Sequence, residues 1–190
     1  MNPMILRLTI CLGVAGATLP AMGAAEAASF KLTSTDVGTK GMIKDEFVFN
    51  KFGCTGNNIS PALSWSGAPA AAKSFAVTVF DPDAPTGSGF WHWLVANIPA
   101  SETSLAKNAG DPQSGVAPKG SVQARNDYGS SSYGGPCPPK GDKPHRYIFT
   151  VYAVDTDALE VDANSSGAVV GFNLHYHTLA KATFTARYGR

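Results

Sequence analysis

Ser74-Phe75-Ala76-Val77-Thr78-Val79-Phe80 runs directly into Asp81-Pro82-Asp83-Ala84-Pro85, and this junction decides the fold class. β-Branched and aromatic residues fill the first half without helical spacing, the mark of a buried strand. Two prolines and two aspartates fill the second half. Such a segment is stiff, cannot continue a ladder, and holds its carboxylates at fixed places. Beyond Thr86-Gly87-Ser88-Gly89, strand character returns over Trp91 to Asn97. Antiparallel pairing of the two strands brings Asp81 and His92 to one end of a sheet. Strict alternation gives His92 the same face as Leu94 and Ala96.

The strongest strand is Arg146 to Val154, and shorter ones are expected at Phe30–Thr33, Glu46–Phe49 and Leu63–Trp65. Ala182, Phe184, Ala186 and Tyr188 alternate as a final strand. One segment changes period: Val169, Phe172, Tyr176 and Leu179 fall on one helix face, with Asp162 or Asn164 able to cap the start. Between Leu105 and Ser132 the chain is polar and Gly-rich with no period, an irregular loop long enough to suggest a functional surface. The expected fold is mostly β with one late α-helix.

The N-terminus has the pattern of a secretory leader over residues 1–27. Arg7 supplies a positive start, Leu8 to Leu19 is apolar but too short to span a bilayer, and Ala25-Glu26-Ala27 is the expected cleavage site. Cys11 has no lipobox-like residues before it. The remaining residues 28–190 suit a single domain, exported to the periplasm or beyond. Arg7 and Glu26 cancel, so the net charge of +1 is the same with or without the leader. Neither a basic patch for nucleic acid nor a later apolar run for stable membrane insertion is present, and nothing in the sequence asks for a cofactor.

Two cysteines follow the leader, Cys54 and Cys137. In an oxidising compartment an even count favours one disulfide, the alternative being two buried free thiols. The bond would close a loop of about 83 residues and, on the chain-entropy model, stabilise by roughly 4 kcal/mol.

Gly134-Gly135-Pro136-Cys137-Pro138-Pro139-Lys140-Gly141 leads into His145-Arg146-Tyr147. His145 and Tyr147 project from one strand face. The Pro-rich segment is either a rigid structural turn or a pre-ordered wall beside a His/Tyr donor pair. His92, between two tryptophans, is either a satisfied core imidazole or a ligand contact. His175 and His177 lie two apart on the expected helix and point to different sides, so they are no chelating pair.

Asp-Pro-Asp-Ala-Pro, Trp-His-Trp, Gly-Pro-Cys-Pro-Pro and His-Arg-Tyr, in this order and spacing, resemble the signature of the phosphatidylethanolamine-binding protein (PEBP) family. Asn58-Ile59-Ser60-Pro61-Ala62-Leu63-Ser64-Trp65 and Asn126-Asp127-Tyr128-Gly129 resemble its bacterial Raf-kinase-inhibitor-like branch. The similarity runs from about Phe30 to Arg190. It implies a PEBP-like β-sandwich with a preformed pocket built from Asp81, Asp83, His92, Gly135, Pro138, His145 and Tyr147. The implied ligand is phosphate-like, carboxylate-like, or a zwitterionic phosphoethanolamine headgroup. Nearby aspartates would hold the histidine pKa values near or above the reference of about 6.5.

Other classes carry less sequence support. No Gly-x-Ser-x-Gly elbow favours a serine hydrolase. A metal-assisted hydrolase would have to use Asp81, His92 and His145, without a spaced His pair. The chief alternative is inhibition of a protein partner, a protease or kinase, through the pocket rim and the 105–132 loop. The expectation is a binding protein, not an enzyme.

Overall fold

The computed structural model describes residues 29–38 and 41–190; the expected leader over 1–27 lies outside the described residues. Its strands are β1 (Lys31–Thr33), β2 (Leu63–Ser66), β3 (Ser74–Asp81), β4 (Phe90–Pro99), β5 (Ser104–Leu105), β6 (Val122–Gln123) and β7 (His145–Val154); helix α1 (Gly167–His177) then leads into β8 (Thr178–Tyr188). Antiparallel pairing gives two sheets, β1-β2-β5 and β6-β4-β3-β7-β8.

Alternation along these strands supplies the core. Leu32, Leu63, Trp65 and Leu105 of the small sheet pack in one cluster with Val77, Val79, Trp93, Phe149, Val151 and Phe184 of the large one. Each fully buried side chain of this size contributes about 1.5–3 kcal/mol. On the other face of the large sheet, α1 lays Val170 and Leu174 against Ala76, Leu94, Ala96 and Val154. The architecture is therefore a β-sandwich with one helix on its outside. No helix among the described residues is long and apolar enough to cross a membrane.

Four local expectations are corrected. Glu46–Phe49 is not a strand: Asp45–Phe47 forms a 3-10 turn, after which the Phe49 N–H donates to the Pro136 carbonyl (3.1 Å). The 105–132 segment is not wholly irregular, since β6 and the end of β5 fall within it. Helix α1 starts at Ser166, whose side chain accepts from the Val169 N–H; Asp162 instead holds the preceding turn by accepting from the Asn164 N–H.

The helix also turns the other way round. Phe172 and Tyr176 are both 66% exposed, and Val169 and Leu179 are exposed too, while Val170 and Leu174 form the buried side. This segment is apolar on two sides, so spacing alone does not choose the face. Leu179 has already left the helix for β8.

Candidate functional site

A cavity of about 320 Å³ opens at one end of the sandwich, where β3, β4 and β7 meet the Pro-rich loop. Asp81 is the last residue of β3. The β3–β7 register, in which Phe80 lies opposite Ile148, carries the end of β3 alongside the start of β7. There His145 Nδ1 donates to Asp81 Oδ2 at 2.7 Å, with both side chains at most 5% exposed. The other Asp81 oxygen accepts from the Asp83 N–H (2.8 Å). The carboxylate thus fixes the imidazole tautomer and the following turn together. His145 Nε2 lies 3.4 Å from Asp142 Oδ2, too long for a strong bond.

Asp83 does not reach the cavity. Its oxygens accept from the Arg146 backbone N–H (2.8 Å) and from the guanidinium Nη2 (2.7 Å) and Nε (2.9 Å). Arg146 is turned away from Tyr147's face of β7, and Asp83 follows it. The guanidinium holds the Asp83 carboxyl down at a pKa of about 2. This pair ties the turn to β7.

His92 is re-aimed by a bulge. Val79 lies opposite Trp93, but Phe80 lies opposite Trp91, so His92 is the extra residue between them. Bulges break alternation and redirect side chains. Trp91 therefore packs on the outer face with Phe80, ring centroids 4.4 Å apart. His92 shares the cavity with Asp81, His145 and Tyr147, 5.1 Å from the Tyr147 ring, and not the Leu94/Ala96 face that alternation implies. Its Nδ1 donates to the Gly134 carbonyl (2.7 Å).

Burial is the largest influence on the His92 pKa and lowers it, outweighing the Gly134 carbonyl and the Asp81 charge, which favour the imidazolium. The expected rise is thus reversed at His92, because Asp81 spends its short contact on His145.

Gly135 sits behind the wall rather than in it. A Cβ there would meet the Phe47 carbonyl oxygen at 2.1 Å, so glycine lets the Pro-rich loop lie against the 3-10 turn. Its N–H donates to Asn58 Oδ1 (2.8 Å) and its carbonyl accepts from Tyr128 (3.1 Å). The N–H is therefore not available to an anion. Pro138 does line the cavity. Cys137 beside it is bonded to Cys54, with Cα atoms 5.9 Å apart.

Tyr147 is the distinctive group. It lines the cavity, its residue is 0% exposed, and its hydroxyl is buried without a hydrogen-bond partner among the described residues. Burial and the Asp81 charge push its phenol pKa up, so the hydroxyl remains protonated and can donate.

The rim adds residues that motif reasoning did not assign. Tyr128 stacks on Phe49 at 3.9 Å and meets the edge of Phe90 at 4.7 Å; both Tyr128 and Phe90 line the cavity, as do Phe52 and Asp127. Asp127 Oδ2 accepts from the Trp91 N–H (2.7 Å). The signal for Asp127 and Tyr128 was in view, in the Asn126-Asp127-Tyr128-Gly129 motif. Among the described residues no Lys or Arg lines the cavity, whose basic side chains are His92 and His145. Among the described residues no group of three or more His, Cys, Asp or Glu side chains is placed to hold a metal ion.

Comparison with known proteins agrees with the fold. Residues 33–189 match the family model described as phosphatidylethanolamine-binding protein. The chain is 53% identical to the UPF0098 protein YbcL of Escherichia coli over 86% of its length and 90% of that protein's. It is 49% identical to E. coli YbhB over 83% of its length and 99% of that protein's. The crystal structure of E. coli YbcL, described as a new member of the mammalian PEBP family, superposes with a TM-score of 0.84 at 52% identity, covering 86% of this chain and 99% of that one. A PEBP homologue from Chlamydia trachomatis, CT736, gives a TM-score of 0.71 at 30% identity, covering 85% and 98%.

Proposed function

The chain belongs to the phosphatidylethanolamine-binding protein family, and from that premise we propose that it is an exported binding protein for a small anionic or zwitterionic headgroup. Phosphate, a carboxylate and phosphoethanolamine share the chemistry, an oxyanion of modest size. The observation that carries this is Tyr147, a residue of the cavity lining whose buried hydroxyl has no hydrogen-bond partner among the described residues. Leaving such a group unsatisfied costs about 1–3 kcal/mol. A ligand oxygen that accepts from it removes that cost.

His92 supports the same conclusion. With Nδ1 committed to the Gly134 carbonyl, Nε2 is the nitrogen left for a ligand. Protonated, it donates a charge-assisted bond to an oxyanion. Because burial lowers the His92 pKa, the free cavity holds a neutral imidazole at neutral pH, and anion binding draws in a proton. With no Lys or Arg in the lining among the described residues, this proton is the principal new positive charge. The rim carboxylate Asp127 is placed to receive an ammonium group, which favours a zwitterion over a bare dianion.

Binding without turnover is the proposal. The sulfur of the lining residue Cys137 is bonded to Cys54, and among the described residues no serine belongs to the lining. Export is supported by the same disulfide and by the leader pattern of residues 1–27. N-terminal sequencing of protein from the exported fraction should begin at Ala28, and an intact Met1 there would contradict export. The binding site is tested by a crystal grown with phosphoethanolamine. Its phosphate should lie within hydrogen-bond distance of Tyr147 and His92, and density elsewhere would contradict the assignment.

A further inference from the structure

Phe52 occupies a backbone position that does not suit it. The Lys51–Cys54 turn closes on a hydrogen bond from the Cys54 N–H to the Lys51 carbonyl (3.0 Å). Its two central residues, Phe52 and Gly53, have positive φ values of 53° and 76°. Both central residues at positive φ is the requirement of a type I′ turn, whose first slot favours Asn, Asp or Gly. A bulky aromatic is disfavoured there by contact between its Cβ and the backbone. Burial does not offset the cost, because Phe52 is 72% exposed.

The ring is nonetheless held in place at the cavity. Cys54, two residues on, is bonded to Cys137 in the opposite wall. Arg190 bridges the same two segments, donating to the Gly53 carbonyl (2.7 Å) and the Pro138 carbonyl (2.6 Å). Between these ties Phe52 lines the cavity mouth, 5.9 Å from the Tyr128 ring and inclined 18° to it. Local strain retained at an exposed site beside a cavity points to a use outside the fold.

We infer that Phe52 is a specificity-determining residue, positioned to stack on an apolar substituent of the bound anion. The ligand class is then an organic phosphate or carboxylate carrying an aromatic or alkyl group, not an inorganic ion. This rests on the anion-binding role proposed for the cavity. The oxyanion sits deep, at Tyr147 and His92, and the substituent leaves past Tyr128 and Phe52. Nearly parallel rings at the mouth offer a face to such a group.

Phe52→Asn tests this, because asparagine suits the turn. Its melting temperature should equal or exceed that of the wild type, by up to about 4 °C. Calorimetric titration of both proteins with methyl phosphate and phenyl phosphate supplies the second readout. Wild type should prefer phenyl phosphate by roughly tenfold, and Phe52→Asn should bring that ratio close to one. A lowered melting temperature would make the ring structural and overturn the inference. So would a phenyl-to-methyl ratio near one in the wild type, or one unchanged by the substitution, with the anion site itself left standing. Wild-type protein that binds neither compound would overturn both.

Discussion

Asp81 and His145, 64 residues apart in the chain, meet through a 2.7 Å hydrogen bond in the lining of the cavity, almost entirely shielded from solvent. The pair is held by strand register on one side and by the Asp-Pro-Asp-Ala-Pro turn on the other. It fixes which His145 nitrogen donates inward, and its energetic weight follows from burial.

Asp81→Ala would leave the His145 Nδ1–H buried without an acceptor. Chemical denaturation should show a loss of about 1–3 kcal/mol, the cost of a buried donor left unsatisfied. Asp81→Asn, which retains an acceptor, should cost less. Equal, small losses in both would mean that the pair is not a structural unit.

Asp83, two residues on, should behave differently. With its pKa held at about 2 by Arg146, below an unfolded value near 3.9, it adds stability above about pH 4 that is lost as pH falls toward 2. Side-chain exposures of 46% for Arg146 and 31% for Asp83 limit this to about 1 kcal/mol or less. Asp83→Asn should flatten acid unfolding over that window and leave headgroup affinity close to wild type. A large loss of affinity would return Asp83 to the binding site.

For His92 the sign is reversed. A histidine whose folded pKa is depressed resists protonation in the native state, so stability falls as pH drops below about 6.5 and levels off only below the folded pKa. Melting curves from pH 5 to 8 should show this slope, and His92→Gln should reduce it. Anion affinity in the wild type should fall with rising pH, starting from a point below 6.5 because the free imidazole is already hard to protonate. A pH-independent affinity would remove His92 from the binding step.

The Cys54–Cys137 bond should be detected in non-reduced peptides by mass spectrometry. It spans 83 residues, so replacing both cysteines with serine should cost roughly 4 kcal/mol on the chain-entropy model. Two alkylatable thiols in exported protein would contradict the pairing.

How much of this was legible in the sequence depends on how local each signal is. The β3 strand, its Pro-rich exit and the His-Arg-Tyr strand are marked by short-range residue chemistry, and they fell where expected. The Asp81–His145 contact was not readable from spacing, because it depends on the β3–β7 register. His92 was placed on the wrong face because one bulge residue reverses alternation. Asp83 carries the same carboxylate as Asp81 and stands within the same motif, so only the orientation of Arg146 separates their roles. Gly135 is expected among the pocket residues, whereas its lack of a Cβ serves close packing on Phe47. The helix stripe Val169, Phe172 and Tyr176 had the right period but faced outward, because Val170 and Leu174 offered a second stripe. Phe90 and Phe52 joined the rim only through tertiary folding.

The most direct test of the central claim is calorimetric titration of phosphoethanolamine into the wild type and Tyr147→Phe. The substitution removes a single hydroxyl that has no hydrogen-bond partner among the described residues. The unliganded variant should therefore melt at or above the wild-type temperature, since an unsatisfied polar group is gone. Wild-type protein should bind one headgroup per chain, and the variant should bind it roughly 10–150-fold more weakly, the equivalent of about 1.5–3 kcal/mol for a hydrogen bond to a charged group. Equal affinity in the two proteins, or no binding by the wild type, would contradict the assignment of this cavity as a headgroup site.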